Sequence, residues 1–236
     1  MPLAGNLESL HLACRTLAIG DIHGCSIAFH ALLEAIAPER GDTIVLLGDL
    51  VDRGPSSNRV IAAAIELTAR CNVVCILGDH EELMLNAIQN NHALPRWLRN
   101  GGAETMESYG WTGVSDQSLE TWFPSDHIAF LSACVPYYET RDHILTHAGY
   151  VADMAMPDQP ALALRWRTVE ANANEPHVSG KTVIVGHSAQ RSGRVRDCGH
   201  VKCIDTNCVH GGWLTGMDVS AGTLWQSNQQ GQTRKE

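Results

Sequence analysis

The segment Thr43–Pro55 constrains the fold of this chain more than any other stretch. Its sequence, TIVLLGDLVDRGP, is a run of β-prone and apolar residues that ends in Gly48-Asp49. Such a run predicts a buried parallel strand, and the carboxyl ends of strands in open α/β sheets are where binding sites form. Asp49 is therefore predicted to lie at the mouth of a sheet.

The same pattern of a strand followed by Gly-Asp occurs once before and once after this segment. Thr16–Ile19 precedes Gly20-Asp21, and Val73–Leu77 precedes Gly78-Asp79. Histidines follow within two residues, as His23 and His80. One such pattern is common by chance, but three in the first third of a chain indicate a shared site.

Helical spacing of apolar residues separates these strands. The predicted elements are a strand ending at Gly20, a helix at 26–36, a strand at 43–47, a helix at 58–69, a strand at 72–77 and a helix at 81–89. This alternation predicts parallel strands joined by right-handed crossovers, and hence an α/β fold.

The rest of the chain has a different character. Frequent tryptophan and glycine in residues 91–131 predict an insertion of short helices. A mainly β half is expected to follow, with strands at 137–139, 143–146, 182–185, 201–204, 214–219 and 223–226. We expect residues 1–236 to form one domain, with a frayed, Gln-rich tail at 227–236.

Two strands of the β half also end in potential ligands. His147 follows the predicted strand at 143–146, and His187 follows the one at 182–185. A single histidine at such a place is more often a hydrogen-bonded structural residue than a ligand. Five strand ends with ligand groups reverse that preference.

Composition limits the partners. The net charge of −9 and the near absence of Lys/Arg clusters argue against a nucleic-acid partner. No apolar run reaches the ~18 residues of a membrane span, and the N-terminus lacks the pattern of a signal peptide. We therefore expect a cytoplasmic protein without a membrane partner, and the sequence predicts no particular oligomeric state.

The candidate ligands are carboxylates and imidazoles without a thiolate. This set suits Mn²⁺ first, with Fe or Zn²⁺ as alternatives, and a carboxylate at the central strand end can bridge two ions. Two metal ions ~3.5–4 Å apart stabilise both the attacking and the leaving oxygen of a phosphoryl displacement. The sequence thus predicts two divalent ions and hydrolysis of a phosphoester.

At this point the residues resemble a known family, the calcineurin-like metallophosphoesterases, and within it the phosphoprotein phosphatases of short bacterial and phage type. The resemblance covers residues 16–226 and rests on five motifs: GDIHG (20–24), GDLVDRG (48–54), GDHE (78–81), HAG (147–149) and GHS (186–188). It implies a central β-sandwich of mixed sheets flanked by helices, in the layer order α-β-β-α.

The resemblance also implies a role for each matching residue. The implied metal ligands are Asp21, His23, Asp49, Asp79, His147 and His187, with Asp49 bridging the two ions. A metal-bridging hydroxide would attack phosphorus directly, without a phosphoenzyme. Arg53 would bind the phosphate, and His80 would protonate the leaving alkoxide with support from Asp52.

At two positions this chain does not match the family's pattern unambiguously: the second phosphate-binding arginine has two candidates, and residue 79 differs. A second phosphate-binding arginine is usual in the family; Arg165 and Arg167 are the candidates, and Arg167 is favoured. Asp79 stands where the family has asparagine, so a carboxylate replaces an amide that can donate to phosphate. We expect this change to impair catalysis more than metal binding.

Three functions follow from this reading. The first is a phosphatase for phosphoserine and phosphothreonine in proteins or peptides, with phosphotyrosine as a further candidate substrate. The second is a nucleotide phosphoesterase like the diadenosine tetraphosphatases. The third, suggested by Asp79 alone, is a catalytically impaired metal-binding protein, against which the retained His80, Asp52 and Arg53 argue.

Overall fold

A computed structural model describes residues 14–113 and 118–235. Its strands form two sheets. The strands of the first sheet are β1 (Thr16–Ile19), β2 (Thr43–Leu46), β3 (Asn72–Cys75), β9 (Asp205–Thr206), β10 (Trp213–Asp218), β11 (Leu224–Ser227) and β12 (Thr233–Lys235). The strands of the second are β4 (Tyr137–Glu139), β5 (His143–Thr146), β6 (Thr182–Val185), β7 (Arg196–Asp197) and β8 (Val201–Cys203).

Both sheets are mixed. The first has the order β12-β11-β10-β1-β2-β3, with β9 paired to β10, and the second has the order β4-β5-β6-β8-β7. Strands β1, β2 and β3 are parallel, as are β5, β6 and β8, whereas the pairings made by β4, β7, β9, β10, β11 and β12 are antiparallel. The predicted parallel first half and the mainly β second half are confirmed.

Helices cover the outer faces of the sheets. The longer ones are α1 (Ser26–Ile36), α2 (Ser57–Leu67) and α3 (Asp79–Gln89), and the shorter ones are α4 (Leu94–Trp97), α5 (Ala103–Ser108), α6 (Ser125–Ser132), α7 (Ala161–Trp166) and α8 (Val169–Asn172). In the described part of the chain, none of these helices is long and apolar enough to cross a lipid bilayer.

The alternation of side chains along β1 shows how the layers are built. Leu17 and Ile19 pack into the cluster that includes Phe29 and Leu32 of α1, while Ala18 packs into a cluster shared with Leu145 and other residues of the second sheet. Successive residues of a strand point to opposite faces, so one strand serves both layers. The α/β fold with a central β-sandwich flanked by helices is confirmed.

The insertion after α3 is helical, as predicted. It consists of α4, a wide turn at Leu98–Gly102 where Gly101 has φ 105°, and α5, and after a gap of undescribed residues it continues to α6. Residues 114–117 of the predicted insertion lie outside the described residues. The insertion packs against α2 and α3, next to the carboxyl ends of the first sheet's parallel strands.

Two sequence expectations about local structure differ from what is observed. Helix α3 begins at Asp79 rather than Glu81, because the Glu81 carboxylate accepts the backbone N–H of Gly78 and caps the helix two residues earlier. The tail is not frayed over residues 227–235, because β12 pairs antiparallel with β11. Lys235 also lies over the Trp225 ring, a cation–π contact that the tail's composition does not reveal. Residue 236 lies outside the described residues.

Candidate active site

The strand registers bring the predicted residues to one edge. Ile19 is opposite Leu46, and Leu46 is opposite Cys75, so β1, β2 and β3 end together. The backbone N–H groups of Ile22 and His23 both donate to the carbonyl of Asp49, at 3.0 and 2.8 Å, and join the first two loops. Three Gly-Asp turns therefore meet at the carboxyl edge of the first sheet.

Two groups of side chains suited to metal binding meet at this edge. Asp49, Asp79, His147 and His187 form one group, and His23, Asp49 and His80 form the other. In each group the potential ligand atoms lie within 4.8 Å of one another. Asp49 belongs to both groups, which is the position expected for a residue between two ions.

Asp21 belongs to neither group as the side chains lie here. Its carboxylate accepts the backbone N–H of His187 at 3.0–3.1 Å, and its Oδ1 lies against Gly186, where a Cβ would collide with it. Asp21 thus joins the loop after β6 to the loop after β1. Its predicted role as a metal ligand stays a prediction.

Two of the histidines are oriented by backbone carbonyls. His147 Nδ1 bonds to the carbonyl of Leu47 at 2.8 Å, and His23 Nδ1 bonds to that of Val51 at 2.9 Å. A carbonyl can only accept, so each Nδ1 carries a proton and donates it. The Nε2 atoms then face carboxylates: His147 Nε2 is 3.0 Å from Asp79 Oδ1, and His23 Nε2 is 3.4 Å from Asp49 Oδ2. This is the usual orientation of a histidine that ligates a metal through Nε2.

The electrostatics of the cluster fit a divalent cation. Burial, and then the neighbouring Asp79, raise the pKa of Asp49 well above its usual range. Burial, and then Asp205 and Asp49, do the same for the pKa of Asp21. Burial and the nearby His80 and Arg53 lower the pKa of His23, which keeps its imidazole neutral. At His147 burial acts in the same direction, but the hydrogen bond to Asp79 outweighs it and raises the pKa of this imidazole to about 9. The crowded, buried carboxylates thus draw positive charge to the site, and a bound dication would supply it.

His80 and Asp52 form a buried pair next to this cluster. His80 Nδ1 is 2.7 Å from Asp52 Oδ2, and both side chains are almost fully buried. Asp52 also accepts the Trp97 indole N–H at 3.0 Å and the Thr105 hydroxyl at 2.8 Å. The His80 ring packs edge-on against His23, with 4.7 Å between ring centroids. His80 is thereby held with its Nδ1 on Asp52 and its ring beside the metal-binding groups.

The sequence reasoning assigned no role to three residues that hold this site. Trp97 and Thr105 fix Asp52, and Glu81 fixes the loop after β2. The Glu81 carboxylate accepts the backbone N–H groups of Asp49 and Leu50 at 2.8 and 2.7 Å, and that of Val51 at 3.3 Å. Its place one residue after His80, at the start of a helix, was the available signal.

Backbone strain is concentrated at the site. Among non-glycine residues of the described chain, seven have positive φ, and five of them are candidate site residues. Those five are His23, Asp49, Asp52, Arg53 and His187. Residues other than glycine rarely adopt a positive φ, and this backbone conformation persists only where surrounding contacts impose it. The fold thus maintains an unfavourable backbone in order to present these side chains.

The three candidate phosphate-binding arginines lie in different surroundings. Arg53 donates to His23 Nε2 at 2.9 Å, and its backbone N–H donates to the Gly101 carbonyl at 3.0 Å. Arg165 pairs with Glu82 at 2.7 Å, while Arg167 lies near Glu175 at 3.5 Å. Arg165 lies within α7, whereas Arg167 follows the helix in extended backbone. The choice of Arg167 as second phosphate ligand stays a prediction.

Comparison with known proteins gives the family. The sequence profile described as calcineurin-like phosphoesterase matches residues 14–221. The serine/threonine-protein phosphatase 1 of Salmonella typhimurium is 29% identical over 206 residues, covering 84% of this chain and 88% of that protein. The symmetrical bis(5'-nucleosyl)-tetraphosphatase of Pseudomonas fluorescens is 26% identical over 268 aligned positions, covering 88% of this chain and 89% of that protein.

A solved structure agrees with this assignment at the level of the fold. The structure of a provisionally assigned diadenosine tetraphosphatase has a TM-score of 0.67 and 22% identity, covering 92% of this chain and 94% of that chain. The resemblance expected from the motifs is confirmed, and the profile match spans most of the chain. This protein therefore belongs to the calcineurin-like phosphoesterase family, with a cluster at its strand ends that could hold metal.

Proposed function

We propose that this protein is a metal-dependent phosphatase that hydrolyses phosphoserine and phosphothreonine in proteins or peptides, with phosphotyrosine as a further substrate. Family membership supports phosphoester hydrolysis. Similarity to a serine/threonine-protein phosphatase over most of both chains supports the finer assignment.

The observation that carries this proposal is the His80–Asp52 pair. Serine and threonine alkoxides are strongly basic leaving groups, so cleavage of their phosphate esters requires a proton donor. His80 bonds to Asp52 at 2.7 Å, and Asp52 is held in turn by Trp97 and Thr105. The bond to Asp52 fixes the ring of His80, and its Nε2 lies 4.0 Å from Asp79 Oδ2, beside the candidate metal ligands, where it can serve as the proton donor. The leaving phosphate of a dinucleoside polyphosphate is far less basic and needs that donor less.

The other proposed roles follow from position. The metal ions would be held by Asp21, His23, Asp49, Asp79, His147 and His187, of which all but Asp21 belong to the two groups that share Asp49. Divalent ions there would activate water as the nucleophile and offset the charge of the phosphoryl group. Mn²⁺ remains our first choice of metal, with Fe and Zn²⁺ as alternatives.

Arg53 is proposed to bind the phosphoryl oxygens. Its side chain donates to His23 Nε2, which places the guanidinium beside the metal-binding groups while the residue stays exposed to solvent. A guanidinium can donate two parallel hydrogen bonds to phosphate. On substrate binding, Arg53 would exchange the imidazole for the phosphoryl oxygens.

A second candidate function is hydrolysis of a dinucleoside tetraphosphate. The bis(5'-nucleosyl)-tetraphosphatase of Pseudomonas fluorescens matches this chain over a similar share of its length and at a similar identity. Both functions use the same cluster, so they differ in the group that carries the phosphoryl moiety.

A substrate panel separates the candidates. The purified protein with added Mn²⁺ is assayed for kcat/KM on a phosphoserine peptide, p-nitrophenyl phosphate and diadenosine tetraphosphate. We expect the phosphopeptide to be preferred over diadenosine tetraphosphate. The reverse preference would overturn the phosphoprotein assignment in favour of the nucleotide one. Metal binding without turnover of any of the three would identify a catalytically impaired protein.

A further inference from the structure

A frame of three side chains lies beside His187: Glu82, Arg165 and Trp166. The Trp166 indole N–H donates to Glu82 Oε2 at 2.9 Å, and the Arg165 guanidinium pairs with Glu82 Oε1 at 2.7 Å. Both oxygens of the Glu82 carboxylate are therefore occupied. The frame holds the indole ring of Trp166 in one orientation and leaves no free negative charge on Glu82.

This frame borders the candidate active site. The Trp166 ring is 6.4 Å from the His187 ring and meets it edge-on, at an interplanar angle of 76°. The backbone N–H of Ala148, next to His147, donates to the carbonyl of Leu164 at 2.8 Å. The helix that ends at Trp166 is thus attached to the loops that carry two candidate metal ligands.

Arg96 also contacts this frame, over the ring of Trp166. Its guanidinium carbon lies 5.5 Å from the centroid of the Trp166 ring, within the range of a cation–π contact. Its position is also fixed through the main chain, because the next residue, Trp97, bonds to Asp52. Trp166 therefore contacts both Arg96 and His187. Along the main chain, Arg96 is followed by Trp97, which bonds to Asp52, the partner of His80.

The charge of Arg96 is not compensated within the described part of the chain. The residue is exposed, and its guanidinium forms no ion pair with any described carboxylate. Within the described residues this guanidinium donates no hydrogen bond, so its N–H groups are free to donate to a ligand. The edge of a guanidinium matches the two oxygens of a carboxylate or a phosphate. On a chain with a net charge of −9, an unpaired cation at the rim of an active site is a specific attraction for an anion.

We propose that Arg96, stacked on Trp166, binds a second anionic group of the substrate. The ligand is a carboxylate or a further phosphate on the same peptide, close in sequence to the phosphorylated residue that is cleaved. This inference rests on the proposed phosphatase function and narrows it to phosphopeptides with acidic neighbours. Glu82 and Arg165 act as positioning residues, because they hold the ring on which Arg96 stacks.

The test compares two phosphoserine peptides that differ only in their flanking residues, acidic in one and alanine in the other. The wild-type protein with Mn²⁺ is expected to show a kcat/KM for the acidic peptide at least about fivefold above that for the alanine peptide, since a charge-assisted hydrogen bond is lost without the acid. Arg96→Ala should bring this ratio close to one, and Arg96→Lys should retain part of it. The wild-type ratio should also fall as salt is added, because the contact is exposed.

Arg70→Ala is the matched control. Arg70 is also an exposed arginine, but it precedes β3 and so lies at the opposite end of the parallel strands from the site. We expect this variant to keep the wild-type ratio. Thermal unfolding of each variant shows whether a change in ratio accompanies a loss of folded protein.

Different outcomes overturn different proposals. Equal kcat/KM for the two peptides in the wild type, or an unchanged ratio in Arg96→Ala, would overturn the anion subsite while leaving the phosphatase assignment intact. Turnover of p-nitrophenyl phosphate without turnover of either peptide would overturn both. A ratio lost equally in Arg70→Ala would show that the preference reflects overall charge rather than Arg96.

Discussion

Among single residues, Asp79 stands where the resemblance of the motifs leads us to expect asparagine. Its Oδ1 lies 3.0 Å from both His147 Nε2 and His187 Nδ1, so it occupies the centre of one metal-binding group. Asparagine in its place would offer a carbonyl oxygen to metal and an N–H donor to phosphate. An ionised carboxylate offers no donor and repels an incoming phosphoryl group.

We therefore expect Asp79→Asn to raise kcat. A donor aimed at the charge that develops in the transition state is typically worth ~10²–10³ in turnover, which sets the upper range of the gain. The measurement is kcat on p-nitrophenyl phosphate, together with metal content per chain, which should stay similar or fall. Asp79→Ala, whose side chain offers neither a metal ligand nor a donor, is the control. An unchanged or lower rate in Asp79→Asn would mean that the site is adapted to the carboxylate.

His80 allows a prediction about leaving groups. If His80 donates the proton, His80→Asn should lower kcat by ~10²–10⁴-fold on a phosphoserine peptide. The loss should be much smaller on p-nitrophenyl phosphate, because nitrophenolate is a weak base and leaves without a proton. Steady-state kinetics on the two substrates measure this contrast. Equal losses would indicate that His80 acts through packing against His23 or through metal binding instead.

At the scale of secondary-structure elements, helix α3 organises the site. Its first turn supplies Asp79 and His80, while Glu81 reaches back to the loop after β2. The helix therefore sets both the positions of two candidate site residues and the path of the loop that carries Asp49. This explains how Asp49 keeps a positive φ of 51° in a tightly packed region.

Glu81→Gln tests this role of the helix. The amide keeps the shape of the side chain, but its NH₂ group would face backbone N–H donors, which would then be buried without an acceptor. Each such loss costs about 1–3 kcal/mol. We expect a lower free energy of unfolding and weaker metal binding, measured by urea denaturation and by titration calorimetry with Mn²⁺. Glu66→Gln, at an exposed position of α2, should change neither quantity. Unaltered metal affinity in Glu81→Gln would refute the role in shaping the loop.

Asp42 lies in the connection between β1 and β2, and its ionisation makes the stability of the fold depend on pH. Burial opposes ionisation of Asp42, but the Arg15 guanidinium and the backbone N–H groups of Glu39 and Arg15 outweigh it and lower the pKa of this carboxyl. A pKa that is lower in the folded state stabilises the protein above the unfolded pKa of about 3.9, and this stabilisation is lost as the pH falls through the folded pKa.

Asp42→Asn should therefore lower the free energy of unfolding by about 1–3 kcal/mol at neutral pH, because hydrogen bonds to a charged group are lost. The difference from wild type should stay constant from pH 8 to about pH 5 and shrink below about pH 4, where the wild-type carboxyl becomes protonated. Urea denaturation across this range provides the measurement. A difference that grows on acidification would contradict the assigned direction of the pKa shift.

For the molecule as a whole, the main feature is that the candidate metal ligands come from both sheets. Asp49 and Asp79 follow strands of the first sheet, while His147 and His187 follow strands of the second. A cation held by all four would connect the sheets directly. A ligand that binds only the folded state also stabilises it, in proportion to the logarithm of its concentration above the dissociation constant.

We predict two divalent ions per chain and a midpoint of thermal unfolding that rises with added Mn²⁺. Two such ions would change the net charge from −9 to −5, with the change confined to the site. Asp49→Asn should lose bound metal and the rise in midpoint, because a neutral amide neither offsets nor bridges two dications well. Native mass spectrometry counts the ions, and calorimetry gives the midpoint. One ion per chain in saturating Mn²⁺, or full occupancy in Asp49→Asn, would exclude a dinuclear centre bridged by Asp49.

Local sequence patterns are enough to predict the order of the helices and strands and the sheet edge at which the candidate site lies. Asp21, Asp49 and Asp79 follow buried strands after a glycine, and parallel strands end at a common edge. These features depend on neighbouring residues in the chain and on the general geometry of α/β sheets. For the same reason the helical character of the insertion and the strands bearing His147 and His187 were predictable.

The side-chain contacts, in contrast, depend on how distant segments of the chain pack together. The contact between Trp97 and Asp52 spans 45 residues, and that between His187 and Asp79 spans 108 residues. The Glu82–Trp166 bond that supports Arg96 spans 84 residues. Neither periodicity nor composition contains such pairings, because they arise when the insertion and the two sheets pack against one another. The same is true of the tail, whose polar residues order because β11 offers them an unpaired edge.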